Sequence, residues 1–193
     1  MKRRRPMGML KLANKLPAAI AAVLFGLFFY MAGAGEPQGT GAFIQGVVTR
    51  VVDGDTVHVK TKGEDRTVRL VGVDTPETVH PKKPVQFYGR EASAFTKKSL
   101  ANKTVWLEYD VSPLDRYKRH LAYVWLEMPP DKIDEAAIRR GMFNARLLLD
   151  GYGRVMTIQP NSRYADLFVK FEREARENNR GLWGEGKKSK SQK

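Results

Sequence analysis

The chain contains no cysteine. Disulfides, thiolate metal sites and a cysteine nucleophile are excluded together, and an oxidising compartment would pose it no redox difficulty. It has three histidines, His58, His80 and His120. No two have metal-ligand spacing, which disfavours a zinc site or a histidine-centred nuclease. Acids are missing from residues 1–35, which hold Lys2, Arg3, Arg4, Arg5, Lys11 and Lys15. Charge of either sign is missing from Leu16 to Gly35.

Those N-terminal absences describe a leader. A basic start followed by "LPAAIAAVLFGLFFYMAGAG" fits a signal peptide, and "AGA" at 32–34 offers a small-x-small cleavage site after Ala34. The same stretch can just span a bilayer as an uncleaved anchor with its basic flank inside. Either way, residues 1–35 would place the rest of the chain outside the cytoplasm: secreted, periplasmic or cell-surface. Membrane contact is expected only through residues 16–35, and only if they are retained.

What is present is a strongly basic chain. Over 193 residues, 34 Lys and Arg face 21 Asp and Glu. Beyond the leader the balance is 28 to 21, or +7, which suits an anionic partner. A hydrophobic content of 42% supports a core, so the chain is one globular domain with extras. "EPQGTGA" (36–42) reads as a linker and "GKKSKSQK" as a solvated tail, so the domain runs over 43–184 with 185–193 trailing.

Within it, "FIQGVVTRVV", "TVHVK" and "RTVRLVGV" read as three strands joined by "DGD" and "KGED" turns. A meander of this kind suggests a small barrel. A proline-bearing loop (76–89) leads to a helix over 90–102. Strands follow at 104–110 and 120–128, separated by a loop at 112–119. "PPDKIDEAAIRRG" opens a helical region, 144–153 forms another helix, and 162–179 carries an apolar stripe of Tyr164, Leu167, Phe168, Phe171 and Ala175.

Four acids sit at turns or strand ends: Asp53 and Asp55 flank Gly54, and Asp74 and Glu77 flank Thr75–Pro76. Neighbouring strand ends of a small barrel lie side by side, so the four can converge on one rim. Hard cations such as Ca²⁺ take carboxylate, carbonyl and water oxygens. Any one Asp-Gly is by itself an ordinary turn, and "DGD" lacks the EF-hand spacing. Arg69 precedes Asp74 by one short strand and alternates with Leu70, and Arg119 opens a strand. Two guanidiniums facing such a rim could grip a phosphodiester, or form surface ion pairs of little value. Spacing alone leaves both open.

The segments "VVDGDTV", "RLVGVDTPET", "HPKK" with the following "EASAFTKK", "DRYKRHLAYV" and "ARENNRGLW" resemble the staphylococcal nuclease (thermonuclease) family, in order, from Phe43 to Trp183. The resemblance implies an α+β, mainly β fold: a five-stranded OB-fold barrel carrying three or four helices. It implies Ca²⁺-dependent hydrolysis of DNA and RNA to 3′-phosphate products; a monomer and a preference for single strands are expected besides. Asp55 and Asp74 would be carboxylate ligands of the calcium, with the Thr75 carbonyl. Glu77 would be the general base. Arg69 and Arg119 would bind the scissile phosphate. Asp53 would support the metal from behind its ligands. Tyr117, Lys82, Lys83 and Lys118 would contact substrate.

The chain also departs from that pattern. Lys118 stands where the family has a loop glycine, and is expected to shift the loop while adding a phosphate contact. Met156 and Ile158 stand where base-packing aromatics are expected, implying weaker nucleotide affinity or altered base preference. "PPDKIDEAAIRRGM" looks inserted, either as a local packing helix or as a partner contact. A non-catalytic, single-strand-binding OB module is the alternative. Such a module should have lost some of Asp55, Asp74, Glu77, Arg69 or Arg119, and this chain keeps all five.

Overall fold

The computed structural model describes residues 43–79 and 84–184. The expected leader, linker and basic tail, with His80, Lys82 and Lys83, lie outside the described residues. Among the described residues no helix is long and apolar enough to cross a membrane.

Strands β1 (Ile44–Asp53), β2 (Thr56–Thr61) and β3 (Glu64–Leu70) form the expected meander. After β4 (Gly72–Asp74), β5 (Thr104–Leu114) and β6 (His120–Trp125) close it into a barrel of order β1-β2-β3-β6-β5, in which β5 pairs back onto β1. All barrel pairings are antiparallel except β3 with β6. Strand alternation builds the interior: Val57, Val59, Val68, Leu70, Val105 and Leu107 are fully buried. Thr56, His58, Thr67 and Arg69 alternate with them and face the other side. The architecture is thus the expected five-stranded α+β barrel.

The third strand ends earlier than its sequence pattern suggests. "RTVRLVGV" stops at Leu70, and Gly72 takes φ +79, a conformation side-chain-bearing residues avoid. The Phe168 ring fills the space a Cβ would need. The chain therefore turns off the barrel, and β4 pairs instead with β7 (Arg154–Met156), a strand too short to read from sequence. β5 runs past the expected end into "SPL", because the Asn161 side-chain amide clips it. Asn161 accepts from the Ser112 amide at 2.7 Å and donates to the Ser112 carbonyl at 2.9 Å.

Four helices occur among the described residues: α1 (Gly89–Leu100), α2 (Glu135–Gly141), α3 (Phe143–Leu149) and α4 (Ala165–Glu177). α4 buries Phe168, Phe171 and Ala175 of the expected stripe, with Tyr164 before its first turn. α2 starts at Glu135 rather than at the prolines, because Asp134 caps it by accepting from the Ala137 amide at 2.8 Å. It packs locally. Arg139 pairs with Glu174 at 2.8 Å and lies 4.5 Å over the Phe171 ring, and Lys170 pairs with Glu135 at 2.8 Å.

One buried amide ties α3 to the barrel. Asn144, fully buried, donates to the Val71 carbonyl and accepts from the Val124 amide, both at 2.8 Å. Asn144→Leu would strand both backbone groups, each costing about 1–3 kcal/mol. Urea denaturation should show a loss of roughly 3 kcal/mol or more. A loss under about 1 kcal/mol would mean that the two groups find other partners.

Candidate active site

Two turns meet at the barrel rim. The first, Asp53–Gly54–Asp55, joins β1 to β2, and the second, Asp74–Thr75–Pro76–Glu77, leaves β4. Asp55 Oδ2 accepts from the Thr75 amide at 2.9 Å and from its hydroxyl at 3.1 Å. Asp53 accepts from the Thr78 hydroxyl at 2.7 Å and the Thr78 amide at 3.0 Å. Asp55 thus holds the second turn at Thr75, and Asp53 holds it just beyond its end, at Thr78. Gly54 makes the approach possible, since a Cβ there would sit 2.5 Å from the Thr75 hydroxyl oxygen. Its φ is not positive, so the glycine serves closeness rather than a left-handed turn. From α1, the Thr96 hydroxyl donates to the Gly54 carbonyl at 2.6 Å.

Arg69 is buried beneath these acids. Its Nη1 donates to the Leu70 and Val73 carbonyls at 2.8 and 2.7 Å. Its Nη2 lies 2.9 Å from Asp74 Oδ1 and 3.3 Å from Asp55 Oδ2. Arg119 is held differently. Its Nε and backbone amide both donate to Asp115, at 2.8 and 2.9 Å. Among the described residues its two Nη groups have no hydrogen-bond partner. Burial alone would raise the Asp115 carboxyl. Hydrogen bonds from Arg119 and the Tyr117 amide outweigh that and hold it below its ordinary value.

All six of these side chains, Asp53, Asp55, Asp74, Glu77, Arg69 and Arg119, line one open cleft of about 590 Å³. Burial pushes the Asp74 carboxyl up; Arg69 pulls it down, and the Asp55 charge pushes it up again. Asp53 and Glu77 share a hydrogen bond with opposite effects. It helps lower Glu77 and, after burial, raises Asp53. The shared hydrogen bond thus favours the charged form of Glu77 over that of Asp53.

Among the described residues no group of three or more His, Asp or Glu side chains is arranged to hold a metal. The donors nonetheless fit a hard divalent cation. Asp55 and Asp74 are all-oxygen donors that bracket one positively charged nitrogen, and a calcium site can be completed by carbonyl and water oxygens. The Asp74 side chain is half exposed and opens into the cleft.

A family model described as a staphylococcal nuclease homologue matches residues 67–185. A thermonuclease of Staphylococcus intermedius is 44% identical over 168 residues, covering 86% of this chain and 92% of its own. The chain belongs to the staphylococcal nuclease family. A thermonuclease of Staphylococcus hyicus is 43% identical over 136 residues, covering 70% of this chain and 73% of its own. An SPbeta prophage-derived endonuclease, YokF, of Bacillus subtilis (strain 168) is 37% identical over 136 residues, covering 69% of this chain and 42% of its own.

The family's substrate-side positions divide. Tyr117 is exposed, with its ring under Arg116 and Arg119 at 4.7 and 5.5 Å. Met156 lines the cleft, whereas Ile158 packs against the core instead. Among the lining residues that carry no signal in the motifs are Arg50, His58 and Gln86. His58 is half-buried, with Arg50 and Asp65 on its two ring nitrogens. Strand register is the signal that finds it, because Arg50 pairs with His58 and His58 with Thr67 across the sheet.

Lys118 adopts φ +62, and its amide donates to the Asp115 carbonyl at 3.0 Å to close the turn before Arg119. A side chain in that conformation costs about 1–2 kcal/mol, partly offset in a Lys118→Gly variant by the greater freedom of glycine in the unfolded chain. Lys118→Gly should raise stability by up to about 1 kcal/mol in thermal denaturation. A lower Tm would show that the lysine side chain makes a compensating contact.

Proposed function

We propose that this staphylococcal-nuclease-family enzyme is an exported, calcium-dependent nuclease that hydrolyses DNA and RNA to 3′-phosphate products. The observation that carries the reading is the meeting of four acidic side chains and two arginines in one cleft, one guanidinium buried as an anchor and the other open to a ligand. A binding-only module would need the basic surface but not the acidic rim.

The residues divide the work. The Nη groups of Arg119, unpartnered among the described residues, donate to the phosphate oxygens, where a planar fork suits the developing charge. Arg69 sets the distance between Asp55 and Asp74 and adds fixed positive charge beneath the phosphate. Glu77 accepts the proton of the attacking water. Its charged form is secured by Asp53 and by the Val79 amide, which donates to Glu77 Oε1 at 2.9 Å. Asp53 fixes the loop that aims Glu77 through its two bonds to Thr78. Asp55, Asp74 and the Thr75 carbonyl would hold the calcium ion. When bound, it neutralises phosphate charge and makes water more acidic, help that a base as weak as a carboxylate requires. Tyr117 and Lys118, beside Arg119, are the substrate contacts of this reading, together with Lys82 and Lys83.

Purified protein should cut denatured DNA and RNA in millimolar Ca²⁺ and not in chelator. Glu77→Gln and Arg119→Ala should each lose at least about 100-fold in kcat, comparable to removing one preorganised charge-stabilising donor. End-group analysis should find 3′-phosphates. Salt-sensitive binding without cutting by the unmodified protein would favour the binding module instead. For export, the mature N-terminus should be Gly35; a retained Met1 in a membrane fraction would show an anchor.

A further inference from the structure

Arg50 and His58 belong to none of the roles above, yet both line the cleft. Arg50 Nη2 lies 2.7 Å from His58 Nε2. A guanidinium only donates, so Nε2 is the acceptor and the ring proton sits on Nδ1. Nδ1 in turn lies 3.3 Å from Asp65 Oδ2. The chain Asp65–His58–Arg50 therefore fixes the direction of one exposed guanidinium. Among the described residues the Nε and Nη1 of Arg50 have no hydrogen-bond partner.

The register says where that guanidinium stands relative to the reacting phosphate. Arg50, His58 and Thr67 form one row across β1, β2 and β3. Thr56 and Arg69 belong to the next row on the same face. Two residues of strand separate the rows, about 7 Å, which is about the step from one phosphate to the next along an extended nucleic-acid strand. The cleft floor carries no carboxylate in the Arg50 row itself; Asp65 neutralises the histidine end, away from the free Nε and Nη1.

We propose that Arg50, aimed by His58, binds the phosphate next to the scissile one, so that the cleft grips two consecutive phosphodiesters. Arg50 is the contact and His58 the positioning residue. The assignment rests on the cleft being the nucleic-acid site.

The test measures binding and turnover separately. Binding of a fluorescein-labelled 12-nucleotide single-stranded DNA is followed by anisotropy in the uncutting Glu77→Gln background between 50 and 200 mM salt; kcat and KM are measured with Glu77 restored. Arg50→Ala should weaken binding and raise KM about tenfold, the worth of one charge-assisted hydrogen bond, with kcat within about twofold. The slope of log affinity against log salt should become shallower by about 0.7, one phosphate contact on a single strand. Arg50→Lys should restore the slope but only part of the affinity. His58→Ala should raise KM about threefold in the Arg50 protein and not at all with Arg50→Ala, a non-additivity expected of directly bonded partners. His58→Gln, which keeps an acceptor, should recover the loss. Unchanged KM and salt slope in Arg50→Ala, or losses that merely follow a lowered Tm, would overturn the proposal. Should the unmodified protein bind DNA without cutting it, the nuclease reading fails, while Arg50 still stands or falls on the anisotropy.

Discussion

The Arg69 guanidinium is buried, and taking such a charge out of water costs several kcal/mol unless hydrogen bonds and counter-charge replace the solvent. Here two backbone carbonyls and two carboxylates do so. The carbonyls come from Leu70 and Val73, on either side of the bend at Gly72. The carboxylates come from different turns. One side chain thus stabilises the exit of the chain from the barrel and sets the spacing of the acids. Removing it would leave Asp55 and Asp74 facing each other without compensation, at the point where the chain bends.

A second layer of order comes from short polar side chains rather than from the core. Asp53 and Asp55 each capture one residue of the 75–78 turn, and Thr96 reaches from α1 to Gly54. The two acids therefore serve shape before chemistry. Most of the carboxylate oxygens on this crowded rim already accept hydrogen bonds, which offset part of the cost of burying them. Glu77 differs. Its loop is fixed, and its carboxylate meets Asp53 and the local Val79 and Thr78 amides while the residue stays partly exposed.

Much of this is readable from the chain. Alternation at Val57 and Val59, the Asp53–Gly54–Asp55 turn and the α4 stripe all act locally, so their patterns survive in one dimension. The meeting of the acids is readable only as a possibility until the family resemblance supplies the pairing. What escapes depends on distant contacts. The break after Leu70 needs Phe168, nearly a hundred residues away. The extension of β5 needs Asn161. Asn144 looks like any polar residue in a helix until Val71 and Val124 are placed beside it. His58 defeats its own pattern because strand alternation says which face a residue takes, not what occupies that face.

The parallel pairing of β3 with β6 has a consequence in time. Asp53, Asp55, Arg69, Asp74 and Glu77 are all synthesised before residue 78, but Arg119 reaches them only when β6 docks beside β3. Gly72, where the chain leaves β3, packs against Phe168 of α4. A nascent or unfolded chain holds every reactive side chain and no working centre. For a nuclease, such a topology delays the complete centre until nearly the last helix is in place.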